Sequence, residues 1–230
     1  MGTRLRDAVP DLPKPMAPVC GRPFLEYQLD YWLAQGIKHF ILSVGYRREV
    51  IMSHFGNCYR GTPLDYAVEA EPLGTGGGLL IALNLLSGDD AFVLLNGDTF
   101  FEVDLVELTT FHANRQSDWT LTLFRSHEAG RYMGLEVDQG GRILSLGSAA
   151  TKNTDRLANG GVYMISPQVL RASNLVSGKR VSLEDEIMPR ALASGSAFFG
   201  LECKGRFIDI GVPEDYQRAG AFLTGQELTQ

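Results

Sequence analysis

Between residues 23 and 114 the chain alternates two kinds of segment, and this alternation limits its architecture more than any other feature. Short apolar runs of strand length, His39 to Val44 (HFILSV), Leu64 to Glu69 and Ala91 to Leu95, are separated by stretches in which apolar residues return every three or four positions. In the first such stretch, Pro23 to Gly36, the residues Leu25, Leu29, Trp32 and Leu33 recur at helical spacing, with a proline at the first turn and a glycine at the stop. Arg47 to Phe55, Gly76 to Leu86 and Leu105 to Asn114 repeat the pattern. Apolar strands joined by helices read as βαβ units on a parallel sheet, whose strands are buried on both faces. After Trp119 the segments become shorter: strands over Trp119 to Phe124, Gly134 to Val137 and Arg142 to Leu146, the last two joined at a hairpin-like turn. A strand over Gly160 to Ile165 and helices over Leu183 to Leu192 and Pro213 to Leu223 complete an α/β chain with a mixed second half.

Composition narrows the class of function. Hydrophobic residues at 44% and charged residues at 21% are ordinary for a globular protein, and no internal repeat or low-complexity linker divides the 230 residues. One domain over residues 1–230 is therefore expected. The net charge of -6 argues against a general nucleic-acid binder, which needs a basic stripe to displace counterions. Cys20, Cys58 and Cys203 are widely spaced and form no CxxC pair, so neither a disulfide framework nor a zinc site is indicated, and a cytoplasmic setting fits. No apolar run reaches the ~20 residues that cross a bilayer, so no membrane partner is expected. The sequence leaves a homo-oligomer open.

Four segments place polar residues where an open α/β sheet has its ligand crevice, at the carboxyl ends of strands. Gly2-Thr3-Arg4-Leu5 with Pro13-Lys14-Pro15 offers backbone N–H groups and two cations to phosphate, or is a basic surface loop. Glu69 to Gly78 (EAEPLGTGGG) carries four glycines in five positions between a strand and a helix, which suits close approach of backbone to a ligand, or a flexible turn. Leu94 to Asp98 (LLNGD) is an apolar strand ending in an acid that is either a Mg²⁺ ligand or a turn aspartate. In Phe207 to Gly211 (FIDIG), Asp209 lies between two isoleucines, and a carboxylate buried there would need a cation.

Taken in order, these segments resemble the sugar-nucleotidyltransferase superfamily. The motifs are GTRL (Gly2 to Leu5), PKPM (Pro13 to Met16), EPLGTGG (Glu71 to Gly77), NGD (Asn96 to Asp98), NGGVY (Asn159 to Tyr163), SLEDE (Ser182 to Glu186) and FIDIGVPEDY (Phe207 to Tyr216). NGDTFFEVDL and the FIDIGVPEDY ending are most similar to the D-glycero-α-D-manno-heptose 1-phosphate guanylyltransferases. The resemblance implies a single Rossmann-like mixed, mostly parallel sheet flanked by helices. Family members carry a complete first strand and two further glycines ahead of the GTRL segment, whereas Met1 stands there in this sequence. The chain thus reads as N-terminally truncated, with an expected gap in its sheet or another chain's strand filling it.

The resemblance also implies the chemistry. A sugar 1-phosphate oxygen attacks the α-phosphorus of a nucleoside triphosphate, releasing pyrophosphate. A phosphate monoester has a second pKa near ~6, so this nucleophile is ionised at neutral pH and needs no general base. Catalysis then consists of aligning two anions and neutralising charge. By resemblance, Asp98 and Asp209 hold Mg²⁺, Arg4 and Lys14 contact phosphates, and Gly2, Thr3, Glu71, Gly76 and Gly77 bind the nucleotide. Gly134, Asn159, Gly160 and Glu184 bind the sugar, and GTP with D-glycero-α-D-manno-heptose 1-phosphate is the expected substrate pair. Two other readings remain at this level: a uridylyl- or other nucleotidyltransferase acting on N-acetylmuramic acid or hexose 1-phosphate, and a catalytically silent nucleotide-sugar-binding regulatory module.

Overall fold

The computed structural model describes residues 12–88, 90–126, 132, 134–147, 156–173 and 177–225. Gly2, Thr3 and Arg4 lie outside the described residues.

A 3-10 turn at Lys14–Met16 leads into a small ladder of β1 (Pro18–Val19) and β2 (Arg22–Pro23), and Pro23 caps helix α1 (Phe24–Ala34). Then follow β3 (Phe40–Val44), α2 (Arg48–Phe55), β4 (Cys58–Tyr59), β5 (Thr62–Val68), α3 (Gly74–Ala82), β6 (Phe92–Leu95), β7 (Thr99–Phe101) and α4 (Leu105–Asn114). The second half holds β8 (Trp119–Ser126), a hairpin of β9 (Leu135–Val137) and β10 (Ile143–Leu146), β11 (Arg156–Ile165) and the short α5 (Pro167–Arg171). A π-helical turn, Leu183–Ile187, runs into α6 (Met188–Ala193), followed by β12 (Phe198–Glu202), β13 (Phe207–Asp209) and α7 (Pro213–Thr224).

The α/β class stands, and parallel and antiparallel pairs mix in the sheet as the resemblance implies. β3 pairs with β5, and β8 with β12, in parallel. β11 lies antiparallel between β6 and β8, giving the order β12-β8-β11-β6, while β3, β5 and β4 form a separate piece. The cause is the connection: α2 carries the chain back for a parallel return from β3 to β5, whereas β11 follows a hairpin and enters the sheet the other way. Among the described residues β3 and β6 each have a ladder neighbour on one side, and there the two pieces end.

Alternation along β8 sets the two main cores. Trp119, Leu121 and Leu123 point into one of them with Leu79, Leu80, Tyr163, Ile165, Ile187 and Phe198, where the rings of Trp119 and Phe198 stack at 5.2 Å. The opposite core collects Leu25, Leu29 and Trp32 of α1 with Leu108, Phe101, Val162 and Met164. Thr120 and Thr122 are buried on β8 because each hydroxyl has a partner, His112 for the first and the Val162 carbonyl for the second.

His112 on α4 has its proton assigned by its neighbours. Ser166 Oγ donates to the Ser117 carbonyl at 3.2 Å, so its 3.1 Å contact with His112 Nε2 is accepted from the ring, leaving Nδ1 to accept from the Thr120 hydroxyl at 2.9 Å. A second ring proton would meet a hydroxyl already donating. Burial lowers the His112 pKa below its usual 6.5, against a smaller opposing pull from Asp118. The unfolded chain therefore binds this proton as pH falls below about 6.5 while the folded chain resists it, and stability is lost in that direction. Thermal melts from pH 7.5 to 5.5 should show a smaller loss of Tm in His112→Gln than in the native protein; parallel curves would contradict the assignment.

Candidate active site

A short ladder does what the sequence separation conceals. β13 pairs antiparallel with β7, with Phe207 opposite Phe101, Ile208 opposite Phe100 and Asp209 opposite Thr99. One step further, Ile210 N donates to the Asp98 carbonyl at 2.9 Å. Asp98 and Asp209, 111 positions apart in the chain, thus occupy neighbouring backbone positions. Ile208 and Ile210 are fully buried in a small core with Val19, Phe24, Phe100 and Ala219, and strand alternation keeps Asp209 half-exposed on the other side. Its position between isoleucines is therefore a matter of strand facing, not of a buried charge. Asp98 caps no helix; that role for α4 belongs to Asp104, whose carboxylate accepts from Glu107 N.

Lys14 completes the group. Its Nζ lies 2.5 Å from Asp98 Oδ2, both side chains about one-third exposed or less. The 3-10 turn that presents Lys14 is set by Pro13 and Pro15, and Pro15 packs where a Cβ on Gly97 would come within 3.2 Å of its Cγ. All three charged groups converge on Gly211: a Cβ there would lie 2.8 Å from Lys14 Nζ, 2.9 Å from Asp209 Oδ1 and 3.3 Å from Asp98 Oδ2. Gly211 N also donates to Asp209 Oδ1 at 2.8 Å. Among the described residues no cluster of three or more His, Cys, Asp or Glu forms a metal cage. Two adjacent carboxylates instead match the partial protein shell that Mg²⁺ takes when phosphate oxygens and water supply the rest.

The glycine-rich segment makes its closest approach to its own chain. Gly76 N and Gly77 N both donate to the Val181 carbonyl, at 3.0 and 3.2 Å. A Cβ on Gly76 would stand 2.6 Å from Ile187 Cδ1, and one on Gly74, which has φ +76°, would stand 2.8 Å from the Val181 carbonyl oxygen. Thr75 Oγ1 donates to Glu184 Oε2 at 2.8 Å and accepts from Leu183 N at 2.9 Å, so Glu184 is tied to the start of α3. Glu71 is exposed in the turn just before it.

On β11 the pairing with β8 shifts register between Asn159 and Tyr163, a bulge of the kind that re-aims side chains at sites. Asn159 Nδ2 meets the Tyr163 hydroxyl at 2.7 Å, and the Asn96 side chain bonds the same hydroxyl. A buried hydroxyl without a partner costs about 1–3 kcal/mol, so the two amides fix one another through it. Burial raises the Tyr163 phenol above its ordinary pKa, the Glu184 charge adds to this, and the two amides act against it. Gly160 is closed to side chains: a Cβ would strike the Phe101 ring at 2.4 Å. Gly134 bridges Ala158 from the neighbouring segment. Asn159 and Asn96 thus meet at the Tyr163 hydroxyl, which also feels the charges of Glu184 and Asp98, while Gly160 lies against Phe101 and Gly76 and Gly77 lie along the α3 seam just after Glu71.

Sequence reasoning missed Tyr163, Asn96, Thr75 and Gly211 as members of this arrangement, although each falls inside a quoted motif; the available signal was a hydroxyl or amide beside glycines. Cys203 is no candidate nucleophile, since burial pushes its thiol up to about 12.

A family model described as nucleotidyl transferase matches residues 1–226. The chain belongs to the nucleotidyl transferase family. The D-glycero-alpha-D-manno-heptose 1-phosphate guanylyltransferase of Aneurinibacillus thermoaerophilus is 36% identical over 219 residues, covering 95% of this chain and 93% of that protein. The crystal structure of HddC from Yersinia pseudotuberculosis matches with a TM-score of 0.83 at 29% identity, over 96% of this chain and 95% of that one. The same protein complexed with GMP-PN matches with a TM-score of 0.81 at 28% identity, over 92% and 90%. The nucleotidyltransferase shares with these neighbours the nucleotide-diphospho-sugar transferase fold.

In this nucleotidyltransferase Gly211 lies where the three charged groups meet. A methyl group there meets the mobile end of Lys14 and a carboxylate, both able to swing away, so the fold is little affected while the charges are displaced. Gly211→Ala should keep its Tm within a few degrees and lose about 100-fold in turnover; unchanged turnover, measured by pyrophosphate release, would remove the cluster from the reaction.

Proposed function

We propose that the protein transfers GMP from GTP to a sugar 1-phosphate, D-glycero-α-D-manno-heptose 1-phosphate by preference, forming a nucleotide sugar for cell-surface polysaccharide and releasing pyrophosphate. The observation that carries the reading is the gathering of Lys14, Asp98 and Asp209 within 3.3 Å of one point. The whole-length likeness to heptose 1-phosphate guanylyltransferases and the GMP-PN bound to HddC support the choice of base and acceptor. The unbroken family match over residues 1–226 supports one domain. No described helix is long and apolar enough to cross a membrane, which suits the cytoplasmic setting proposed here.

In this reaction the sugar phosphate oxygen forms a bond to the α-phosphorus as the bond to pyrophosphate breaks. The nucleophile is already ionised, so the side chains align and neutralise rather than abstract a proton. Asp98 and Asp209 are the residues to hold Mg²⁺, which when bound supplies Lewis-acid neutralisation of phosphate charge. Lys14, one of whose N–H donors meets Asp98, offers its others to a phosphate oxygen. Arg4, with backbone N–H groups of Gly2 and Thr3, grips the triphosphate. Glu71 accepts from the donor edge of guanine beside the Gly76–Gly77 seam, and Gly134, Asn159, Gly160 and Glu184 hold the sugar.

The deciding assay is pyrophosphate release with Mg²⁺ and the heptose 1-phosphate, comparing GTP with UTP, CTP, ATP and dTTP. Selective turnover with GTP is expected; preference for UTP would favour a uridylyltransferase, and nucleotide-sugar binding without turnover a regulatory module. Asp98→Asn and Asp209→Asn should each lower turnover by at least about 1000-fold with the fold intact, and near-native rates in either would exclude that acid. Asn159→Ala should raise the KM for sugar phosphate about tenfold with the KM for GTP unchanged; an unaltered sugar phosphate KM would contradict the pocket.

A further inference from the structure

The inward face of α1 is apolar at Phe24, Leu25, Leu29 and Trp32, and it carries one amide, Gln28, which is 4% exposed. A buried amide on a hydrophobic stripe needs partners, and Gln28 finds them in a turn 68 residues further on. Its Nε2 donates to the Asn96 carbonyl at 2.9 Å and to the Thr99 carbonyl at 2.6 Å. Both of its amide hydrogens are thereby spent on the two residues that bracket Gly97 and Asp98. The rest of the turn is held from other directions: Asn96 N donates to the Gly161 carbonyl at 2.8 Å, and the Asp98 carbonyl accepts from Ile210 N. Thr99 is also the residue whose ladder partner is Asp209.

We propose that Gln28 is a positioning residue for the transfer reaction: it clamps both ends of the Asn96–Thr99 turn so that Asp98 meets Lys14 and stands beside Asp209. The inference rests on the reading of Asp98 and Asp209 as the acids that hold the divalent cation. Gln28 is buried behind the turn, and its effect passes through the turn's backbone. The donors of one buried side chain set the spacing of two carbonyls three residues apart, and small displacements of a catalytic group have large kinetic effects. A purely structural role would make Gln28 interchangeable with any change in α1 of equal cost to stability.

The test compares Gln28→Met, which keeps the length and removes both donors, with Leu29→Val, a core truncation on the same helix at a side chain that makes no hydrogen bond to the turn. Turnover, KM for both substrates, Tm, and Mn²⁺ binding followed by electron paramagnetic resonance with an uncleavable GTP analogue are measured on the full chain, with Asp98→Asn as reference. Gln28→Met is expected to lose about ten- to hundredfold in kcat, to keep the sugar phosphate KM within about twofold, and to bind Mn²⁺ about tenfold more weakly. Leu29→Val is expected to match its loss of Tm with native kcat and native Mn²⁺ affinity. Should Gln28→Met not fold, Gln28→Leu, which is uncharged and also removes both donors, gives the same comparison. Equal kcat and Mn²⁺ affinity in the Gln28 and Leu29 variants would overturn the positioning role. Loss of Mn²⁺ binding in Asp98→Asn together with native binding in Gln28→Met would overturn it while leaving the acid site in place. Native Mn²⁺ binding in Asp98→Asn would overturn the acid site, and the role of Gln28 with it.

Discussion

Three residue pairs between β7 and β13 hold the two halves of the chain together at the point where its charges meet. The ladder is short, yet it closes a loop of more than 100 residues, and a closed loop of that length carries a substantial entropic cost. What offsets that cost is the hydrophobic packing on one side of the ladder, where Phe100, Ile208 and Ile210 are buried with Phe24 and Ala219. Asp209 occupies the other side, and Asp98 stands where the ladder ends. Apolar burial and the placement of Asp209 are thus decided by the same few residues, through the two-residue period of a strand.

Such an arrangement gathers like charges, and the structure manages this with geometry rather than with burial. Asp98 and Asp209 remain partly exposed, and Lys14 is brought to them from an independent segment by a turn between two prolines. Partial exposure keeps the cost of desolvating each charge modest, while the rigid backbone keeps them close. Other ionic groups in the molecule serve different ends. Arg22 pairs with Glu26 and Asp30, and Arg60 pairs with Asp30, on the outer face of α1, where they fasten the helix to its surroundings.

The α1, β3, α2, β5 order was legible because the helices are long enough to show a period of 3.6 and the strands stand out between them as apolar runs. β7 and β13 were not legible: three residues, Thr99–Phe101 and Phe207–Asp209, cannot display a period at all. β12 escaped notice for a related reason, since its pairing with β8 depends on a distant partner. The direction of β11 was hidden as well, because an apolar run reads alike whichever way it enters a sheet. At the site, the acids and Lys14 were visible as motif residues, whereas the reason for the glycines was not. A glycine run suits a ligand, and its tight seam against the Val181 backbone is visible only in three-dimensional packing. Gln28 left a faint trace, one amide on an apolar stripe.

The bulge on β11 has a consequence for how the protein can diverge. Gly160 faces the Phe101 ring, and Gly161, at φ +71°, would bring a side chain against Asn96 Nδ2 and Thr99 Oγ1. Two successive positions in the middle of the sheet are therefore frozen, and they adjoin the turn that carries Asp98. Side-chain variation at this end of β11 is thereby confined to positions outside the bulge, and the turn that carries Asp98 keeps its backbone surroundings.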